Sequence, residues 1–120
     1  MRLPLKSLLL IGLIGIAPAH AEPPAKVQIE VSFLLGFMDG SGCEFLRNGS
    51  WHDSKSAQEH LREKYNFLVS GDLIKTTNDF IELAASESSM TGIPYQVKCD
   101  GTAIPSKQWL RAELTRLRSF

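Results

Sequence analysis

The sequence lacks an excess of charge of either sign, and it lacks a long apolar run. Its 13 lysines and arginines balance 13 aspartates and glutamates, so the formal net charge is zero. Without a basic excess, the electrostatic footprint of a nucleic-acid-binding protein is absent. The longest apolar stretch, residues 8–17, is about half of the roughly twenty residues that a membrane-spanning helix needs. We therefore expect neither nucleic-acid binding nor a retained membrane span.

Recognisable catalytic and metal-binding motifs are also missing. No serine lies in the glycine pattern of a nucleophile elbow or in a Ser-x-x-Lys motif. His52, Asp53, His60 and Glu63 match no zinc-ligand spacing. We therefore predict no metal, no cofactor and no assigned catalytic residue. Whether the protein is an enzyme stays open at this point, with a non-catalytic protein favoured.

The first 21 residues have the organisation of a cleavable signal peptide. Arg2 and Lys6 precede the apolar run, and Ala19-His20-Ala21 is the small-x-small pattern that signal peptidase cuts. Cleavage would leave residues 22–120 as a single domain, with 11 basic against 13 acidic side chains after the loss of Arg2 and Lys6. We therefore predict a periplasmic protein that has no stable membrane anchor once the signal peptide is removed.

Cysteine is scarce, since the chain has only Cys43 and Cys99, both within the predicted domain. In an exported protein an even number of cysteines usually pairs. Predicted strands at residues 43–47 and 95–99 would bring the two sulfurs together if they pair antiparallel. We therefore predict a Cys43–Cys99 disulfide, which the chain-entropy model values at roughly 4 kcal/mol for a loop of this length.

Hydrophobic periodicity predicts four helices. The first has two apolar stripes, and one of them, Ile29, Phe33 and Phe37, is left over for the fold or for a partner. Thr76 and Asp79 form an acidic variant of the capping box at the start of the third helix. The predicted helices cover residues 25–38, about 54–69, 77–86 and the segment that Ser106 caps.

Two short predicted strands, residues 43–47 and 50–52, are joined by Asn48-Gly49, which favours a two-residue type I′ turn. Residues 95–99 alternate like a third strand. We therefore predict an α+β fold, in which about four helices pack on a small antiparallel sheet of two to three short strands.

Three sequence blocks carry a family resemblance. They are Phe45-x-Arg47-Asn48-Gly49, His60-Leu61-Arg62-x-Lys64, and Phe80-Ile81 followed by Ala85-Ser86-x-Ser88-Ser89-x-x-Gly92-x-Pro94-Tyr95. In this order and spacing the chain resembles the YfeK-like family of small exported bacterial proteins, a domain of unknown function. The resemblance implies a bacterial, exported protein and implies no particular activity.

The same blocks supply a candidate binding surface. Arg47 and Asn48 place a guanidinium and an amide at the hairpin tip, where they are suited to grip a carboxylate or sugar hydroxyls. His60 and Lys64 lie one helical turn apart, and Lys64 falls near the middle of an apolar face. Lys64 there either snorkels to solvent or lines a groove beside the hairpin. The predicted binding residues are Arg47, Asn48, His60, Lys64, Ser88, Ser89 and Tyr95.

These observations favour an uncharacterised exported protein that acts as a non-catalytic binding or envelope-interaction module, for a small ligand or an envelope protein. A small envelope hydrolase or transferase that uses His60 as general base is an alternative, because histidine titrates near neutrality. The other alternative is a subunit of a homo- or hetero-oligomer. A homodimer would pair through Ile29, Phe33 and Phe37.

Overall fold

The computed structural model describes residues 22–120, and the predicted signal peptide lies outside the described residues. Residues 22–120 form an α+β fold with four helices, as predicted, and a four-stranded sheet. No helix in this range is long and apolar enough to cross a bilayer. In chain order the elements are α1 (Ala25–Asp39), β1 (Glu44–Arg47), β2 (Ser50–His52), α2 (Ser54–Ser70), α3 (Thr77–Ala84), β3 (Gln96–Lys98), β4 (Ala103–Pro105) and α4 (Ser106–Leu117).

The helix starts follow local side-chain chemistry. The Asp53 carboxylate caps α2 by accepting a hydrogen bond from the backbone N–H of Ser56 at 2.8 Å. At α3, Thr76 and Asp79 form the predicted capping box. The prediction for the last helix was wrong in one detail: Pro105 occupies the N-cap, and Ser106 is the first helical residue of α4. The Ser106 side chain is therefore not used as a cap.

The sheet is antiparallel, with the strand order β2-β1-β3-β4. The predicted number of strands, two to three, was too low, because β4 was missed. This strand has only three residues and ends in Pro105, so its sequence has neither length nor alternation to mark it. A proline is tolerated there because β4 is an edge strand. Val97 of β3 pairs with Ile104 of β4.

The predicted disulfide is present in the structure. Glu44 pairs with Lys98 across the β1–β3 ladder, so Cys43 and Cys99 follow at the next position of the register. Their Cα atoms lie 4.4 Å apart, and their sulfurs are bonded. The bridge therefore ties the loop after α1 to the end of β3.

The core lies between α1 and the other elements. One face of α1, centred on Leu34 and Leu35, is buried together with Phe80 and Ile81 of α3. The second apolar stripe of α1 is partly exposed and partly packed against α4. Ile29 is 68% exposed and Phe33 is 43% exposed, whereas Phe37 stacks on Trp109 of α4 with ring centroids 4.6 Å apart. Only the first two residues of the stripe therefore remain for a partner.

A buried ion pair joins the N-terminal half of α1 to the end of α4. Glu30 is only 6% exposed, and its carboxylate accepts hydrogen bonds from Arg118 Nη2 at 2.7 Å and Nε at 2.8 Å. Thr77 Oγ1 donates to the same carboxylate at 2.6 Å. The network joins α1, α3 and the end of α4. Sequence periodicity did not reveal it, because a periodic pattern marks the apolar faces of α1 and gives no partner for a single acidic residue.

Candidate functional site

The β1–β2 hairpin places Arg47 and Asn48 at its tip. Asn48 and Gly49 have φ values of 49° and 83°, as the predicted type I′ turn requires. Both ends of the Asn48 amide are hydrogen-bonded to a neighbouring loop. Its Nδ2 donates to Ser88 Oγ at 3.3 Å, and its Oδ1 accepts from Thr91 Oγ1 at 2.8 Å. Asn48 therefore anchors the hairpin as well as facing the site.

Residues 86–95, here called the cleft loop, lie beside the hairpin tip and form the second side of the candidate site. The loop is pinched by a bridge between Glu87 and Pro94 and by a hydrogen bond from the Tyr95 N–H to the Ser86 carbonyl at 3.0 Å. The Ser88 hydroxyl is buried and accepts from the backbone N–H groups of Met90 and Thr91. Ser88 therefore positions the loop, whereas Ser89 is exposed.

The third wall is α2, which contributes His60 and Lys64. Lys64 Nζ donates to the Tyr95 hydroxyl oxygen at 3.2 Å and to the backbone carbonyl of Glu87 at 3.1 Å. His60 Nε2 lies 3.3 Å from the same hydroxyl. Because the tyrosine oxygen accepts from the ammonium, its single proton is free for a neutral His60 ring. The three side chains thus form one hydrogen-bonded chain from Lys64 through Tyr95 to His60.

Burial and like charges perturb the ionisation of this chain. Burial, followed by the charges of Arg47, Lys64 and His52, lowers the pKa of His60 from 6.5 to about 4. Burial is also the main cause that lowers the pKa of Lys64 and raises that of Tyr95. His60 is therefore neutral at physiological pH, while Lys64 and Arg47 supply the positive charge of the site.

All the predicted binding residues, together with Met90, line one concavity of about 190 Å³, here called the cleft. The structure thus brings the predicted set together, although it came from three separate parts of the chain. Neither Arg47 nor Lys64 forms an ion pair with a carboxylate among residues 22–120. The nearest polar partner of the Arg47 guanidinium in another side chain is His52, whose Nε2 lies 3.5 Å from Nη2.

A smaller cavity of about 20 Å³ lies against the cleft and shares Arg47, His60 and Tyr95 with it. Most of its remaining wall is apolar, but His52 and Ser106 line it as well. Met90, Thr91 and Ser106 are residues around this site that were not among the predicted binding residues. The hydroxyl-rich composition of the cleft loop could have pointed to Thr91. No local signal points to Ser106, because only the tertiary fold brings the start of α4 to the hairpin.

The residues considered as metal ligands do not assemble. In the part of the chain that the structure describes, no three side chains of His, Cys, Asp or Glu come together in a way that could hold a metal ion. His52 instead lies beside Arg47, and Asp53 caps α2. What the cleft can offer chemically is two cations, an amide and hydroxyl groups around a neutral imidazole.

The sequence relationships agree with the blocks that form this site. The profile of a family described as "Family of unknown function (DUF5329)" matches residues 25–118. The chain belongs to this family. It is also 33% identical over 86 residues to a Salmonella typhimurium protein named "Uncharacterized protein YfeK". The matched segment covers 71% of this chain and 70% of that protein.

The resemblance to YfeK-like proteins is thereby confirmed, and with it the assignment to a group of unknown function. The DUF5329 match includes every residue of the cleft, from the hairpin tip to Tyr95. No solved structure matches this DUF5329 protein. Any account of its activity therefore depends on the chemistry of its own residues.

Proposed function

We propose that this protein is an exported, non-catalytic binding module and that the cleft takes a small anionic ligand. One observation carries the proposal: Arg47 and Lys64 converge on the cleft, and neither forms an ion pair within 4.0 Å of a carboxylate among the described residues. The Glu87 carboxylate acts on Lys64 only from a longer distance, where it raises the pKa of Lys64 less than burial lowers it. Cations removed from water are unfavourable unless an opposite charge or hydrogen bonds compensate them. An anion seated between them would supply that compensation through charge-assisted hydrogen bonds.

The hydrogen bonds within the cleft favour a preformed site. Tyr95 is held by His60 and Lys64, and Asn48 is held by Ser88 and Thr91. These contacts join the hairpin, α2 and the cleft loop before any ligand arrives. Little side-chain freedom is then left to lose on binding, which favours affinity.

The state of His60 favours binding over catalysis. A general base works best when its pKa lies near the operating pH, whereas the pKa of His60 is lowered to about 4. Its Nε2 contacts the Tyr95 hydroxyl rather than a carboxylate that would orient the ring and stabilise its charged form. We therefore place the hydrolase or transferase that uses His60 as base second to a binding module.

Export to the periplasm is part of the proposal. The organisation of residues 1–21 supports it, and the Cys43–Cys99 disulfide is compatible with it, since such bonds persist in oxidising compartments. Intact-mass analysis of protein from the exporting host should show a chain that begins at Glu22 and has lost the two thiol hydrogens. A full-length chain with both thiols free would contradict export.

The binding proposal can be tested by titration at constant ionic strength. Isotope-labelled protein, expressed as the full chain and exported, is titrated with acetate and with inorganic phosphate and followed by amide chemical shifts. Shifts should concentrate on the hairpin tip, α2 and the cleft loop. Lys64→Met and Arg47→Gln should each weaken binding about tenfold, as expected for the loss of one charge-assisted hydrogen bond.

Lys55→Met is the matched control, since it removes a lysine from the same helix. Lys55 is exposed and pairs with Glu59, so its removal should leave anion binding unchanged. If Lys64→Met and Lys55→Met bind anions equally well, Lys64 is not part of a binding groove and the proposal fails.

A further inference from the structure

The small cavity beside the cleft has an unusual composition. Its apolar wall is formed by Met38, Phe45, Leu46 and Ala57. Two further polar side chains that do not line the cleft complete it, the His52 imidazole and the Ser106 hydroxyl. Its volume of about 20 Å³ suits one small group, since about 10–15 Å³ of such volume holds one water-sized sphere. The cavity lies directly beside the cleft, because the two share the lining residues Arg47, His60 and Tyr95.

Ser106 is the second, independent observation. The residue is 2% exposed, and its Oγ has no hydrogen-bond partner among residues 22–120. Its backbone N–H donates to the Tyr95 carbonyl at 2.9 Å, which fixes Ser106 next to the tyrosine at the cleft. A buried hydroxyl without a partner is unfavourable, and proteins rarely retain one. A ligand atom that accepts a hydrogen bond from Ser106 would remove this penalty.

We propose that the cavity is a subsite for a short acyl group, a methyl or ethyl group next to a carbonyl oxygen, which is carried by a carboxylate-bearing ligand of the cleft. The inference rests on the proposed function, because the carboxylate is held by Arg47 and Lys64. The methyl group contacts the apolar wall, and Ser106 Oγ donates to the carbonyl oxygen. The ligand class is therefore that of N-acylated amino acids and related acylated acids.

The size of the cavity sets the acyl length. A methyl group is close to a water molecule in size, so the methyl group of an acetyl chain fills the cavity without displacing its wall. A longer chain must push against Phe45, which is 4% exposed and packs edge-on against Trp109. Overpacking of this kind is unfavourable in a close-packed interior. The flexible Met38 side chain gives some room for an ethyl group.

A series of acylglycines tests the subsite, because every member has the same carboxylate and differs only in the acyl group. N-formyl-, N-acetyl-, N-propionyl- and N-butyrylglycine are titrated into the labelled, exported protein and followed by amide chemical shifts. Affinity should rise about fourfold from formyl to acetyl, which is the value of one buried methyl group. It should fall again at butyryl, where the cavity is overfilled.

Ser106→Ala tests the hydrogen bond. We expect N-acetylglycine to bind about five- to tenfold more weakly to this variant, as for the loss of one hydrogen bond. Butyrate, which has the carboxylate and an alkyl chain but no amide carbonyl, should bind with unchanged affinity. The melting temperature of the free variant should not fall, because the hydroxyl has no partner to lose. Ser32→Ala, at an exposed position of α1, is the matched control and should change neither binding nor melting.

Ala57→Val provides a second test that does not depend on Ser106. The two added methyl groups fill the cavity from α2, so the preference for acetyl over formyl should disappear while N-formylglycine still binds. Equal affinities across the series in the unaltered protein, or an unchanged N-acetylglycine affinity in Ser106→Ala, would overturn the subsite and leave anion binding in the cleft standing. Failure of acetate, phosphate and every acylglycine to bind would instead overturn the proposed function, and the subsite with it.

Discussion

Two regions of this molecule contain partly or fully buried charges and treat them in opposite ways. Between α1 and the end of α4, the buried Glu30 carboxylate is paired with Arg118 and hydrogen-bonded by Thr77. In the cleft, Lys64 and Arg47 lie near each other and near His60 without an ion pair among the described residues.

Ionisation expresses the same difference. The hydrogen bond from Arg118 is the main cause that lowers the pKa of Glu30 from 4.5 to about 2, so the folded protein favours the charged carboxylate. In the cleft, burial lowers the pKa values of His60 and Lys64, so the fold disfavours their charged forms. The first region therefore contributes to folding, while the second keeps positive charge in place at some expense of stability. Such an expense is typical of a binding site.

The largest effect is expected from breaking the paired region. Glu30→Gln should lower the free energy of unfolding by about 2 kcal/mol, because Arg118 loses its charged partner. This figure lies below the usual range for fully buried pairs, since the Arg118 side chain is 42% exposed. Urea denaturation at pH 7 measures the change, and anion binding in the cleft should be unaffected.

Glu82→Gln is the control for that variant. Glu82 also faces two cations, Lys107 and Arg111, but its side chain is 42% exposed. Exposed pairs contribute little, so this variant should change stability by at most about 1 kcal/mol. Equal effects at Glu30 and Glu82 would show that burial does not distinguish the two pairs.

The two regions should also respond to acid in different pH windows. As the pH falls from 6.5 to about 4, His60 in the unfolded chain binds a proton that the folded protein excludes, so stability falls. Between pH 4.5 and about 2 the unfolded chain protonates Glu30 first, and the contribution of the ion pair is lost. Urea midpoints measured across pH 2–7 should therefore decline in two overlapping steps.

Single variants separate the two steps. His60→Gln retains a hydrogen-bond acceptor for Tyr95 but does not titrate, so the decline between pH 6.5 and 4 should flatten. Glu30→Gln should flatten only the decline at lower pH. A bound anion beside His60 should raise its pKa, and binding should then tighten as the pH falls toward 4. If the His60 ring protons titrate near 6.5 by NMR, the contrast between the regions is wrong.

A smaller effect of opposite sign is expected in the cleft itself. Lys64→Met removes a half-buried cation and retains most of its apolar contacts, so the free energy of unfolding should rise by up to about 1 kcal/mol. Lys55→Met, which removes an exposed member of a surface pair, should leave the free energy of unfolding unchanged. A clear loss of stability in Lys64→Met would mean that its hydrogen bonds to Tyr95 and Glu87 are structural.

Local rules predicted most of the fold. The Asn48-Gly49 turn, the Thr76–Asp79 capping box and the Cys43–Cys99 pairing all depend on neighbouring residues or on strand register, and all are present. The short β4 strand was missed because three residues that end in proline carry no periodic pattern. Its pairing depends on β3, which is a tertiary effect that propensity does not record.

The residues of the cleft could be predicted as a set, but the hydrogen-bonding role of each residue could not. Sequence spacing put His60 and Lys64 on one helix face, and the hydroxyl-rich loop pointed to Ser88. The side chains of Ser88 and Asn48 form hydrogen bonds that hold the cleft loop in place, and only the distances in the structure show this. Glu30 was missed for a similar reason: its partner, Arg118, is 88 residues away in the chain.

The smallest effect on stability is expected from a substitution on a third surface, the uncharged exposed part of α1. If α1 pairs with a second copy of the chain, Ile29 and Phe33 must carry the contact, because Phe37 is already packed on Trp109. Two side chains bury far less than the roughly 1,200 Å² of a stable interface, so self-association should be weak. Phe33→Glu should abolish this self-association, as measured by sedimentation velocity at high protein concentration. It should change the free energy of unfolding by less than about 0.5 kcal/mol. Leu83→Glu, at a 45% exposed position of α3, should leave the self-association intact, and monomers in all three proteins would exclude this face as an interface between copies.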